Sequence, residues 1–140
     1  MNILLAIDGS SASDRAARYV VQLASQLSQP PTLVLVNVSA PLLPQAVRKL
    51  GRKSTAEYYA SNSEHAVRKA RRILERAGLA HDEFFPVGDA AAEITRLADK
   101  HDVDLVVMGS RGQTALRSLI LGSVATRVLA LSKVPLTVIR

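Results

Sequence analysis

Short, nearly continuous apolar runs alternate along this chain with longer stretches whose apolar positions recur at helical spacing. Residues 2–7 form the first run, which ends at Asp8-Gly9-Ser10, the punctuation of a buried strand entering a turn. Ser11 and Asp14 have capping-box spacing and open a predicted helix through about residue 28, stopped by Pro30-Pro31. Residues 32–38 are rich in β-branched side chains and predict a second buried strand. Ala66, Val67, Ala70, Ile73, Leu74 and Ala77 mark the apolar stripe of an amphipathic helix over 54–77, with Gly78 as its stop. A third strand is predicted at 83–87, a helix at 90–100 and a fourth strand at 104–108, whose Leu105-Val106-Val107-Met108 is apolar throughout. A helical region follows, and residues 135–139 close the pattern as a fifth strand. Residues 40–53, with Pro41, Pro44 and Gly51, are the least regular part and read as a mobile connection.

Strands separated by helices of this length imply right-handed crossovers and a parallel sheet with helices on both faces. Ligands of such open sheets sit outside the carboxyl ends of the strands, where the strand order reverses. The positions to examine are therefore Asp8, residues 38–40, Gly88-Asp89, and Gly109 onward.

Composition narrows the chemistry. A chain of 140 residues, nearly half of them apolar, suits one domain with one core. It has no cysteine, so disulfides and thiolate metal sites are excluded. His65, His81 and His101 are scattered without ligand spacing and read as surface residues. The opening residues lack a basic leader, and no stretch approaches the ~20 apolar residues of a membrane span. A cytoplasmic protein with no membrane partner is expected. The net charge of +6 favours anionic partners, whether nucleotide, nucleic acid or lipid surface. Aromatic residues are too few for the stacking platforms of single-strand binders.

The most informative segment is Gly109-Ser110-Arg111-Gly112, followed after nine residues by Gly122-Ser123. Glycines directly after a buried strand let backbone N–H groups approach an anion with no Cβ in the way. Ser123 stands where a new helix should begin, and a helix N-terminus offers free N–H groups and the positive end of a dipole. Two such clusters, joined by a short intervening helix, suit a polyphosphate. Taken singly, each residue also has a structural reading: Gly109 ends a strand, Gly112 serves a turn, Gly122 caps a helix over 116–121, and Ser123 is an N-cap. The physical case by itself supports a phosphate site and no more.

The full length of the chain resembles the universal stress protein family. Nucleotide-binding members have the pattern Gly-x2-Gly-x9-Gly-Ser/Thr, which Gly109, Gly112, Gly122 and Ser123 match at every fixed position. The runs 3–10, 105–112, 121–125 and 134–139 are also similar to the family, in order and spacing. The resemblance implies a Rossmann-like three-layer sandwich of the adenine nucleotide alpha hydrolase-like type, with a five-stranded parallel sheet ordered 3-2-1-4-5. It implies ATP as ligand, with Mg2+ as a possible companion, and a homodimer joined through the last strand. By the same resemblance Asp8 contacts the nucleoside, Val38 gives a backbone contact to adenine, and Met108 and Gly109 neighbour the ribose and phosphates. Gly112, Gly122, Ser123 and Val124 then supply donors to the phosphates, and Arg111 lies within reach of one. The chain departs from some members in having Ala6 where they have proline, and Gly88-Asp89-Ala90 where they carry Gly-x-Pro. Neither departure touches a phosphate donor.

The remaining basic residues fall into two groups. Arg68, Lys69, Arg71 and Arg72 read as a solvated helix face, partly paired with Glu64 and Glu75. Arg48, Lys49, Arg52 and Lys53 read as a solvated loop in preference to a flap over a polyphosphate. The leading functional expectation is a nucleotide-dependent regulatory protein. A slow ATP hydrolase is the alternative, disfavoured because no histidine or glutamate is expected in the site and no Walker lysine is present. Nucleic-acid binding ranks third, for want of a reading motif.

Overall fold

The computed structural model describes residues 1–112 and 121–140. Among them the chain builds five strands and four helices: β1 (Asn2–Ala6), α1 (Ser11–Ala24), β2 (Thr32–Val36), α2 (Pro44–Arg76), β3 (His81–Phe84), α3 (Ala90–Lys100), β4 (Leu105–Gly109), α4 (Ser123–Leu131) and β5 (Leu136–Ile139). All neighbouring strands are parallel, and their order across the sheet is β3-β2-β1-β4-β5, as expected.

Alternation of side chains along each strand divides the core in two. Ile3, Leu5, Leu33, Leu35 and Val107 face one way and bury against Ala16, Ala17 and Val20 of α1 and Val67, Ala70 and Leu74 of α2. Leu4, Ala6, Val34, Val106 and Met108 face the other way, against Ile94 and Leu97 of α3 and Ala125 and Val128 of α4. Because both faces are covered, the central strands carry no polar side chain beyond the opening Asn2 of β1 and Thr32 of β2, which is why they read as apolar runs. The helix after β1 lies on the first face and the helix after β4 on the second. The two strands are neighbours, so the order reverses between them and their carboxyl ends diverge into a crevice.

Several boundaries differ from expectation for identifiable reasons. Strand β3 starts earlier, because His81–Phe84 pairs in register with Leu33–Val36, and beyond it Pro86 has no N–H to continue the ladder. Only an isolated bridge between Ser39 and Val87 follows. Helix α1 is capped by Ser10, whose Oγ accepts from the Ser13 N–H at 3.2 Å, and not by Ser11; it ends at Ala24. Asp14 is buried against α2, where its carboxylate lies 3.7 Å from Lys69. The largest correction concerns residues 44–53, expected to be irregular and found in α2. Pro44 is suited to the first turn, and the break falls at Gly51 alone, whose φ of 78° and ψ of 167° interrupt the helix. The expected helix over 116–121 falls mostly outside the described residues.

The basic face of α2 is also more specific than a solvated surface. Arg71 grips Glu64 through both Nη atoms at 2.6 and 2.9 Å, and Glu83 of β3 through Nε and Nη2 at 2.7 and 2.8 Å. The guanidinium holds both carboxyls below the usual range and is itself raised by them. This planar fork fastens α2 to the edge strand. Glu75, an expected partner, makes no ion pair among the described residues.

Candidate functional site

A cleft of about 990 Å³ opens at the carboxyl ends of the central strands, at the upper end of the ~300–1,000 Å³ typical of small-molecule sites. All nine residues singled out in the sequence line it: Asp8, Val38, Met108, Gly109, Arg111, Gly112, Gly122, Ser123 and Val124. Gly88 and Asp89, flagged because they follow a strand, do not line it, whereas Ala90 does. Asp89 is instead the N-cap of α3, accepting from the Ala92 N–H, and is gripped by Arg127 of α4 at 2.6 and 3.0 Å. Arg127 holds that carboxyl below the usual range, with the Ala92 N–H adding to the effect.

The two glycine clusters meet directly. The Gly122 N–H donates to the Ser110 carbonyl at 2.7 Å, and a Cβ on Gly122 would lie 3.2 Å from that oxygen and 3.3 Å from the Arg111 Cα. The Ser110 N–H donates in turn to Ile139 of β5 at 2.6 Å, so the loop after β4 is tied to the sheet on one side and to α4 on the other. Gly122 is the N-cap of α4, which makes Ser123 the first helical residue and not the cap. Among the described residues no side chain caps this helix, and its first turn lines the cleft, so the N–H groups there are aimed at whatever occupies it.

Asp8 stands beside the same loop. One carboxylate oxygen accepts from the Ser10 N–H at 2.9 Å, and the other lies 2.9 Å from where a Cβ on Gly112 would fall. Ser10 Oγ also donates to the Arg111 carbonyl at 3.3 Å, which joins the start of α1 to the loop. Gly109 has a packing role that its place in the pattern does not reveal. A Cβ there would come within 2.8 Å of the Ala12 and Ser13 backbone of α1. The cleft is thus walled by a negative carboxylate, a basic loop side chain and two sets of backbone donors, an arrangement able to orient a molecule with both a donor-rich part and an anionic part.

Sequence reasoning missed two contributors. Asn37 is buried, and its Nδ2 donates to the Ile7 carbonyl at 2.7 Å, pinning the ends of β1 and β2 together beneath the cleft. A lone amide after the apolar run of β2 was the available signal. His65 of α2 also lines the cleft from an exposed position, which corrects the expectation that no histidine stands near the site. Its spacing along α2 gave no hint, because the helix comes to the cleft only through tertiary packing.

The Universal stress protein family profile matches residues 1–140, the whole chain. The chain belongs to the universal stress protein family. It is 31% identical to the universal stress protein YxiE of Bacillus subtilis over 146 residues, covering 99% of this chain and 97% of that one. The solved structure of the hypothetical protein MJ0577 of Methanocaldococcus jannaschii superposes with a TM-score of 0.79 at 26% identity, covering 99% and 94% of the two chains. Two universal stress protein structures share the fold at lower identity. One was solved in complex with cAMP, with a TM-score of 0.72, 23% identity and 100% and 97% coverage. The other, from Archaeoglobus fulgidus in complex with dAMP, has a TM-score of 0.71, 22% identity and 100% and 98% coverage.

Proposed function

We propose that the cleft binds an adenine nucleotide, ATP in preference to GTP, and that occupancy serves a cytoplasmic stress-response regulator. The observation that carries this reading is the meeting of Gly112, Gly122 and Ser123 with Asp8 around one cleft. Backbone N–H groups at the two glycine clusters and the start of α4 receive the phosphates, with Arg111 beside them. Asp8 accepts from a ribose hydroxyl or the exocyclic amine, a donor that the guanine O6 does not offer at the same place. Val38 and Met108 supply the apolar wall for the base. Relatives of this fold bound to cAMP and dAMP support the adenine assignment. Among the described residues no group of three or more acidic, histidine or cysteine side chains is placed to hold a metal, so any Mg2+ would arrive on the phosphates.

The test is thermal unfolding in the presence of ATP, ADP, AMP and GTP. ATP at 100 times its dissociation constant should stabilise the fold by about 2.7 kcal/mol. An equal response to GTP removes the adenine assignment. A slow hydrolase is the second reading, favoured by His65 at the cleft wall, since an imidazole is the side chain most often used as a general base. Phosphate release on the order of ten per second, an ordinary enzymatic rate, would replace the regulatory reading with that of a true hydrolase.

The protein also acts, in this reading, as a homodimer paired through β5. That strand is at an edge of the sheet, Leu136–Ile139 carries no charge, and Pro135 protects only its start. Light scattering across a concentration series decides the matter: a mass near the 15.0 kDa of one chain throughout would exclude the dimer.

A further inference from the structure

The first turns of α2 combine an apolar face, exposed at Leu43 and Leu50, with a set of exposed basic side chains. Leu43, Ala46, Val47 and Leu50 recur at i, i+3, i+4 and i+7, the spacing of one helical face. Two of them are open to solvent, Leu43 at 74% and Leu50 at 46% relative exposure. On the other side and just past the break stand Arg48, Lys49, Arg52 and Lys53, all exposed. Several basic side chains elsewhere are held in ion pairs: Arg71 with Glu64 and Glu83, Arg96 with Glu93, Arg127 with Asp89, Lys133 with Asp99. None of the four on this arm makes an ion pair among the described residues. No aspartate or glutamate occurs anywhere from Arg15 to Ala56, and the next carboxylate along the chain, Glu57, makes no ion pair with them among the described residues.

From this juxtaposition we propose that residues 42–53 form a surface-seeking arm that docks the protein on an anionic lipid bilayer. The leucines enter the boundary between headgroups and acyl chains while the basic side chains meet the phosphates, the division of labour of an interfacial amphipathic helix. The arm is set for this by two features. The Leu42 N–H donates to Tyr59 Oη at 2.7 Å, which anchors its start. Gly51 turns residues 44–50 away from the line of the long helix, and a Cβ there would meet nothing within 4 Å among the described residues, so none of their packing demands the break. Lipid is favoured over the other anionic occupants. A nucleic acid rewards the charges but leaves the leucines in water, and a second copy of the chain brings the same positive charges. Absence of a membrane-spanning helix among the described residues does not bear on a helix that lies in the interface.

Flotation of the whole protein with phosphatidylcholine vesicles, with and without phosphatidylglycerol, tests the proposal. Binding is expected only to the anionic vesicles and should fade as salt rises. Arg48→Gln and Lys49→Gln should each weaken it about fivefold. The double variant Leu43→Gln, Leu50→Gln should weaken it at least about tenfold. An unfolding midpoint equal to that of the parent will show that this variant keeps its fold, since both side chains are exposed. Equal partition to both kinds of vesicle, or undiminished binding by the leucine variant, overturns the proposal. So does a protein that ignores vesicles and retards duplex DNA, which would assign the arm to nucleic acid.

Discussion

Gly109→Ala will unfold at a temperature lower by about 6–12 °C, a loss of roughly 2–3 kcal/mol. The added methyl falls 2.8 Å from the Ala12 carbonyl carbon and the Ser13 nitrogen, closer than a Cβ tolerates, and both are backbone atoms in the first turn of α1. A side chain would yield by rotating; a helix backbone yields only by moving as a body. Here α1 buries Ala16, Ala17 and Val20 in the core, so its displacement opens packing along its whole inner face. Gly88→Ala is the control. Its new methyl meets only the flexible Glu93 side chain at 3.1 Å and should stay within about 1 kcal/mol of the parent. A Gly109→Ala protein that melts with the parent would show that α1 does not seat against β4 as described.

Gly112→Val should leave stability nearly untouched and reduce ATP affinity at least about thirtyfold, some 2 kcal/mol. Gly112 is exposed in the loop, and what its Cβ would meet, at 2.9 Å, is the carboxylate end of the Asp8 side chain and not backbone. The valine therefore acts twice: it pushes aside the carboxylate assigned to the nucleoside, and it keeps phosphate away from the loop N–H groups. Ser123→Ala removes one hydroxyl donor and leaves the helix N–H groups in place, so its loss should be nearer fivefold. The contrast with Gly109 matters. Two glycines of one pattern differ in kind, the first required by the fold and the second by the ligand. Equal ATP affinity in parent and Gly112→Val, measured on folded protein, would remove the phosphates from this loop.

Much of this was legible in the sequence, for reasons that particular residues make plain. Strands β1, β2 and β4 are covered on both faces, so runs such as Leu105-Val106-Val107-Met108 stand out without any structure. Strand β3 lies at the edge and contains His81, Asp82 and Glu83, so its signal is weak and the prediction slid toward Phe84-Phe85. The break in α2 misled because prolines and a glycine read as loop, although Pro44 is favourable at a helix start and only Gly51 leaves helical geometry. The cleft residues that follow strands were found because topology puts strand ends together in any open parallel sheet. Asn37 and His65 were not found, since one acts by holding the floor and the other arrives from a helix packed across the first face. Periodicity locates a helix but not the distant strand end to which its residues will be brought.

The most direct test of the account is a calorimetric titration of the parent protein with ATP, repeated after saturation with AMP. The account predicts saturable binding at one site per chain, weakened by AMP in competition for the same cleft. No heat at millimolar ATP, with no change in unfolding temperature, would contradict it.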